Sequence, residues 1–223
     1  MKLSNNNVHI WVVDTNCKAL PNYLSAAEMK RWNNFYFTQG KQTFYQSHNA
    51  LRLILSQYLS EKPSELEFQL TSFGKPFIKN SRIQFNLSHS DSMAVIAVTE
   101  DAEIGVDIES LDRKVEYDDL AKRYFCEKEY QKLLQVSTSQ KRYAFFNCWT
   151  RKEAFIKALG DGLSYPLNDF EVTFLSNEPV QINRIKNNIE AQKQWTLDNK
   201  SLDNYNIATA VKRQNSSFEY LMF

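Results

Sequence analysis

Two acidic residues one position apart, Asp107 and Glu109, lie in the apolar stretch Ile104-Gly-Val-Asp-Ile-Glu109. The alternation predicts a strand, on which side chains at i and i+2 project from the same face. Val106 and Ile108 then turn into the core, and the two carboxylates stand side by side. Such a pair repels itself unless a cation sits between its members. A Mg²⁺ ion held by one or two carboxylates, with water and phosphate oxygens completing its shell, suits that geometry. Further along, Trp149, Glu153 and Lys157 are four apart in Trp149-Thr-Arg-Lys-Glu-Ala-Phe-Ile-Lys157 and share one face of a helix. Ser88 and His89 close the segment Phe85-Asn-Leu-Ser-His-Ser90, and Lys75 is held between Gly74 and Pro76. Each group also has an ordinary reading. Strand acids discourage edge aggregation, Glu153 and Lys157 form an exposed i,i+4 pair worth about 0.3–0.5 kcal/mol, Ser-His makes a turn, and Lys75 is a loop lysine.

The elements that must position these residues are legible in outline. Residues 8–13 read as a first strand. Ser25, with Glu28 at the third position after it, reads as the N-cap of a helix carrying Lys30, Arg31 and Trp32. A longer amphipathic helix is expected over 41–60. Strands are expected at 66–70, 83–87 and 93–98, the last two joined by the polar run 88–92. Helices are expected at 117–125 and 127–135, followed by a polar break at 137–140. The clearest helix covers 142–159 and ends at Gly160, the residue type a C-cap favours. Residues 170–174 and 206–211 read as later strands, while the polar stretch 177–194 predicts no element. The class is α+β.

Composition narrows the functions. Lys plus Arg number 27 against 26 Asp plus Glu, a balance that gives no global attraction to nucleic acid or to an anionic membrane. Cys17, Cys126 and Cys148 are scattered, as are His9, His48 and His89, so zinc-finger spacing is absent. The odd cysteine count and the polar Met1-Lys-Leu-Ser-Asn-Asn-Asn start favour the reducing cytoplasm. The apolar run 93–98 is too short to span a bilayer. With 223 residues the chain is one large domain or two small ones. The five glycines form neither a Walker A loop nor a dinucleotide fingerprint, so a phosphate ligand would need cationic side chains and a metal ion.

Taken in order, Gly74-Lys-Pro76, Phe85-Asn-Leu-Ser-His-Ser90, Gly105-Val-Asp-Ile-Glu109 and Trp149-Thr-Arg-Lys-Glu-Ala-Phe-Ile-Lys157 closely resemble the 4′-phosphopantetheinyl transferases. The resemblance covers about residues 73–163 and reaches the 41–60 helix weakly through Leu51-Arg52. The chain length resembles the larger, surfactin-type class. The resemblance implies an α+β fold of two similar α/β halves packed as a pseudo-dimer, here 1–103 and 104–223, with coenzyme A in the cleft between them. It implies transfer of the phosphopantetheine arm of coenzyme A to a serine of an acyl or peptidyl carrier protein, with release of adenosine 3′,5′-bisphosphate. By the same resemblance Asp107, Glu109 and Glu153 hold Mg²⁺, Lys157 contacts the reacting phosphates, and Lys75, Ser88 and His89 hold the nucleotide phosphates. Glu153 is the candidate base, with a water on the metal as the alternative. Where the family often has a basic residue before the Leu-Arg pair, this chain has Ser47-His-Asn49. Lys30, Arg31, Lys41 and His48 are the substitutes for gripping the 3′-phosphate, with Arg31 and His48 the expected contacts. Carriers of this kind present an acidic helix beside the modified serine, and the 114–125 region with Lys122, Arg123, Tyr124 and Phe125 is the expected docking surface. A pseudo-dimeric chain is expected to be a monomer that binds no nucleic acid and no membrane. A Mg²⁺-dependent phosphohydrolase and a non-catalytic carrier-binding protein remain as alternatives.

Overall fold

Alternation along the strands sets the layering. In β1 (Asn7–Asp14), Val8, Ile10 and Val12 face one way and Trp11 and Val13 the other. The first set meets Ile104, Val106 and Ile108 of β6 (Ile104–Ser110) in an apolar seam, and the second packs against Leu51, Ile54 and Leu55 of helix α2 (Thr38–Leu59). Helix α5 (Thr138–Leu159) covers the outer face of the second sheet through Ala154, Phe155 and Ala158. The order of layers is therefore helix, sheet, sheet, helix. The computed structural model describes residues 1–4, 6–160, 165–186, 188 and 190–223.

The order of elements repeats. From the N-terminus come β1, α1 (Ala26–Asn33), α2, a ribbon of β2 (Gln69–Leu70) and β3 (Pro76–Phe77), and the hairpin of β4 (Ile83–Ser90) and β5 (Met93–Glu100). Then come β6, α3 (Tyr117–Tyr124), α4 (Glu127–Leu134), α5, a ribbon of β7 (Phe170–Val172) and β8 (Ile182–Ile185), and the hairpin of β9 (Thr196–Leu202) and β10 (Tyr205–Val211). In both runs the first strand pairs antiparallel with the last, giving the orders β1-β5-β4 and β6-β10-β9. Strand β11 (Ser217–Met222) crosses back to lie parallel to β1 and completes the first sheet.

A buried ion pair repeats as well. Glu28, at the third position of α1, receives Arg52 of α2 (2.6 Å) and closes a capping box with Ser25. Glu129, at the third position of α4, receives Lys152 of α5 (2.7 Å) and the backbone N–H of Cys126 (2.9 Å). Arg52 also donates to Pro63 O and Leu66 O, and Lys152 to Leu167 O and Phe170 O. Each base thus ties its long helix to the following loop. Desolvation makes such pairs costly unless every remaining donor is used, and here the carbonyls use them.

The capped helix at Ser25 and the Gly160 C-cap, at φ 78°, form as the sequence predicts. Other expectations change. Residues 88–90 continue β4 instead of turning, and α5 begins at Thr138. Its polar first turn is solvent-exposed rather than a break. The strand expected at 66–70 shrinks to Gln69–Leu70, and 170–174 to Phe170–Val172. Strands β8, β9 and β11 carry too many polar or exposed residues for alternation to reveal. The stretch resembling the family runs on to 163, and its last residues lie outside the described ones. Among the described residues no helix is long and apolar enough to cross a membrane.

Candidate active site

The site forms where β4, β6 and α5 meet. Strands β4 and β6 are edge strands of different sheets, and polar side chains of β4 stand in for a backbone ladder between them. Asn86 Oδ1 accepts from Val106 N (2.9 Å), and Ser90 Oγ accepts from Ser110 N (3.0 Å). The alternate β4 residues therefore point at the alternate β6 residues. Ser88 Oγ donates to Asp107 Oδ1 (3.0 Å), and Ser90 Oγ donates to Glu109 Oε2 (3.3 Å).

Gly105 brings α5 into reach. A Cβ at this position would lie 2.1 Å from Ala154 O and 2.3 Å from Ala158 N, so only glycine lets the helix backbone press onto the strand. That contact delivers Lys157 to Asp107. Its Nζ donates to Asp107 Oδ1 (2.5 Å) and Ser88 Oγ (2.8 Å). The ordinary i,i+4 pair between Glu153 and Lys157 is not what forms. Lys157 turns across to β6, and Glu153 makes no ion pair among the described residues.

Asp107, Glu109, Glu153, Lys157 and Ser88 are thus brought together. Asp107 is buried, and its Oδ2 has no hydrogen-bond partner among the described residues. Burial raises the Glu109 carboxyl pKa, as does the charge of Asp107, while Arg113 and Ser90 oppose the shift. Burial pushes Glu153 furthest, to about 7. Asp107 and Glu109 add to that rise, and Lys157 works against it. The charge of Asp107 raises both Glu109 and Glu153, and that of Glu109 raises Glu153 further, so the three acids form a site of unspent negative charge.

Around this core lie the other expected contacts. His89 presents a ring that is open to solvent yet flanked by protein. That partial desolvation, then the charges of Lys157 and His48, lower its pKa. His48 stacks on Phe44 at 3.9 Å and its Nδ1 pairs with Glu28 Oε1 at 3.1 Å. The Arg31 guanidinium lies 5.3 Å from the centre of the same Phe44 ring. Arg31, Phe44, His48 and His89 therefore lead from α1 to the cleft. Lys75 reaches the seam from the other side. Its ammonium donates to Ile104 O (2.8 Å) and Ala158 O (2.9 Å), and burial lowers its pKa to about 8.

Two cavities flank the cluster. One of about 410 Å³ is lined by Thr71, Phe73, Lys75, Pro76, Ala158 and Gly160. The other, of about 610 Å³, runs from Glu153 past Trp149 and Tyr165 to Arg123, Tyr124 and Asn168. Trp149 is fixed there between Tyr124, edge-on at 5.7 Å, and Phe145, stacked at 5.8 Å. Asn86, Ser90, Gly105 and Arg113 belong to the site and escaped the sequence reading. The signal for Ser90 was present, since Ser88-x-Ser90 has the same spacing as Asp107-x-Glu109.

A family model described as the 4′-phosphopantetheinyl transferase superfamily matches residues 103–210, and one described as 4′-phosphopantetheinyl transferase, N-terminal, matches 13–101. The chain is 35% identical over 191 residues to the 4′-phosphopantetheinyl transferase HetI of Nostoc sp., covering 82% of this chain and 80% of that one. It is 30% identical over 161 residues to the 4′-phosphopantetheinyl transferase Sfp of Bacillus subtilis, covering 72% and 70%. A solved holo-(acyl-carrier-protein) synthase from Bacillus anthracis, in complex with CoA (3′,5′-ADP), aligns at 24% identity and TM-score 0.42 over 52% of this chain and 96% of that one. The two matched segments together run from residue 13 to residue 210 with one residue between them, and the Nostoc relative aligns over four-fifths of its length; the chain belongs to the 4′-phosphopantetheinyl transferase superfamily, in its larger, surfactin-type class.

Proposed function

We propose that the cleft between β4, β6 and α5 binds coenzyme A and transfers its phosphopantetheine arm to a serine of an apo acyl or peptidyl carrier protein, releasing adenosine 3′,5′-bisphosphate. Family membership supports the reaction. The observation that carries the site is the buried, unpartnered Oδ2 of Asp107 beside Glu109 and a Glu153 that burial and its acidic neighbours push up to about 7.

That donor set fits a divalent cation. Among the described residues no group of three or more acidic, histidine or cysteine side chains is already arranged to hold a metal ion, but an orphaned carboxylate oxygen with two more acids near it is what a hard, oxygen-seeking cation such as Mg²⁺ satisfies. Asp107, Glu109 and Glu153 would hold it. When bound, it supplies Lewis-acid polarisation of the phosphoryl oxygens.

The chain's own groups do the rest. The carrier serine oxygen bonds to the β-phosphorus of the pyrophosphate, and the bond to the bridging oxygen breaks. Lys157 Nζ, already anchored by Ser88, neutralises the charge gathering on the departing phosphate. A Glu153 carboxylate oxygen takes the serine proton; burial and its acidic neighbours raise its basicity, and the charge of the cation it helps to hold works against that rise. Ser88 and His89 face the nucleotide phosphates, Lys75 would join them by releasing Ile104 O and Ala158 O, and Arg31 with His48 takes the 3′-phosphate. In this reading residues 1–103 supply phosphate contacts, and 104–223 supply the cation site and the working helix. The 610 Å³ cavity with Arg123 and Tyr124 supports approach of the carrier from the α3 side. The chain works as a cytoplasmic monomer whose three cysteines stay reduced; Cys17, Cys126 and Cys148 are free in the structure.

Intact mass spectrometry of an apo carrier incubated with protein, coenzyme A and Mg²⁺ tests the proposal. A gain of about 340 Da, one phosphopantetheine arm, is expected and is lost in Glu153→Gln and without metal. Coenzyme A cleavage with no gain on any of several unrelated carriers would favour a phosphohydrolase instead. Neither gain nor cleavage would favour a binding protein.

A further inference from the structure

The three clustered carboxylates are neutralised unequally. Asp107 takes the Lys157 ammonium, Glu109 takes the Arg113 guanidinium, and Glu153 takes neither. The two cations differ in how they are held. Lys157 is 30% exposed, bridges Asp107 and Ser88, and stands on a helix locked over Gly105. Arg113 is 55% exposed and lies in the loop after β6. It reaches back four residues so that Nη1 donates to Glu109 Oε1 at 2.9 Å. Among the described residues its guanidinium makes no other hydrogen bond. A single-contact, solvent-exposed pair of this kind is weak and easily exchanged.

The consequence is electrostatic. While Arg113 sits on Glu109, one oxygen of a carboxylate facing the cluster is engaged, and a positive charge stands where it repels an arriving dication. Lys157 cannot withdraw without taking the paired charge from the buried Asp107, whereas Arg113 can turn into solvent. We propose that Arg113 is a positioning residue that competes with the divalent cation for Glu109 and so sets the cation affinity of the site from outside its ligand set. The inference rests on the cation site proposed above. It treats Arg113 as a stand-in that keeps the cation-free carboxylates together and gives way on loading.

Removing the competitor should tighten binding, which a purely structural role would not do. Mn²⁺ titration of the full chain, read by the electron paramagnetic resonance of the free ion, measures this without any substrate. Arg113→Gln is expected to bind Mn²⁺ about three- to tenfold more tightly than wild type, the scale of an exposed ion pair expressed as a binding constant. Arg113→Lys, which keeps the charge, should fall between them, and its melting temperature checks that the loop is intact. Asp107→Asn serves as the control for the site and should lose the tight binding. If Asp107→Asn loses it but Arg113→Gln binds no more tightly than wild type, competition is overturned and the cation site stands. If Asp107→Asn binds Mn²⁺ as wild type does, the site reading fails and the inference with it.

Discussion

The two halves of the molecule are built alike and equipped differently. Both long helices have 22 residues, Thr38–Leu59 and Thr138–Leu159, and both carry a buried base as their fifteenth residue, Arg52 or Lys152. Matched position by position, Asn49, Leu53 and Gln57 of α2 stand where α5 has Trp149, Glu153 and Lys157. The first sheet likewise opens with the apolar β1, whereas the second opens with a strand carrying Asp107 and Glu109. One framework therefore serves two purposes. The anchors that hold helix to loop are kept in both halves, and the groups that can do chemistry occur in one. The other half contributes by its edge, since β4 supplies Ser88 and Ser90 to the acids of β6.

The sharpest way to break this comparison is to remove what lets the second half close on itself. Gly105→Val places side-chain atoms within the backbone of α5 and should leave no cooperatively folded protein, as judged by circular dichroism and urea titration. The anchors come next. Arg52→Met and Lys152→Met each take the base from a buried glutamate, leaving Glu28 only His48 and Glu129 no cation among the described residues, and should cost about 3–5 kcal/mol. If only one of them does, the two halves are not held in the same way. Replacing Glu129 and Lys152 together by leucine and methionine should recover most of that loss in urea-midpoint measurements.

Acidity separates scaffold from site more finely. Burial alone would raise the Glu28 carboxyl, but hydrogen bonds from His48, Arg52 and Ser25 pull it from 4.5 down to about 2. A depressed acid stabilises the fold fully above its unfolded pKa and loses that contribution as pH falls. The first half should therefore weaken between about pH 4.5 and 2, by about 3 kcal/mol at most. Glu153 has the opposite sign. Its pKa is raised from 4.5 to about 7, so the cation-free fold favours the protonated acid and loses stability as pH rises through that interval. Urea midpoints in chelator should fall from about pH 4.5 to 7 in wild type and stay flatter in Glu153→Gln. Smallest of all, Lys75→Met should lower stability by about 1 kcal/mol, because its ammonium serves two carbonyls at the seam between the halves.

Much of this was legible in the sequence. Period-2 alternation placed Asp107 and Glu109 opposite Val106 and Ile108, and the structure has them so. The capping box at Ser25 and the glycine stop at 160 carry local signals strong enough to be read alone. What remained hidden depends on residues far apart in the chain. Lys157 bonds Asp107, fifty positions away, in preference to its helical neighbour Glu153, and no spacing rule anticipates that. Gly105 looks like any glycine until α5 is laid across it. Strand β9, Thr-Leu-Asp-Asn-Lys-Ser-Leu, is a polar edge whose identity comes from its pairing with β10.

The central claim is that one half holds the chemistry and that Glu153 is its proton acceptor. The direct measurement is the single-turnover rate of carrier loading by Glu153→Gln against wild type, with coenzyme A binding measured on the same samples. The account predicts a rate about 10²–10⁴-fold lower with coenzyme A affinity largely kept. Loading at the wild-type rate by a folded Glu153→Gln protein would contradict it.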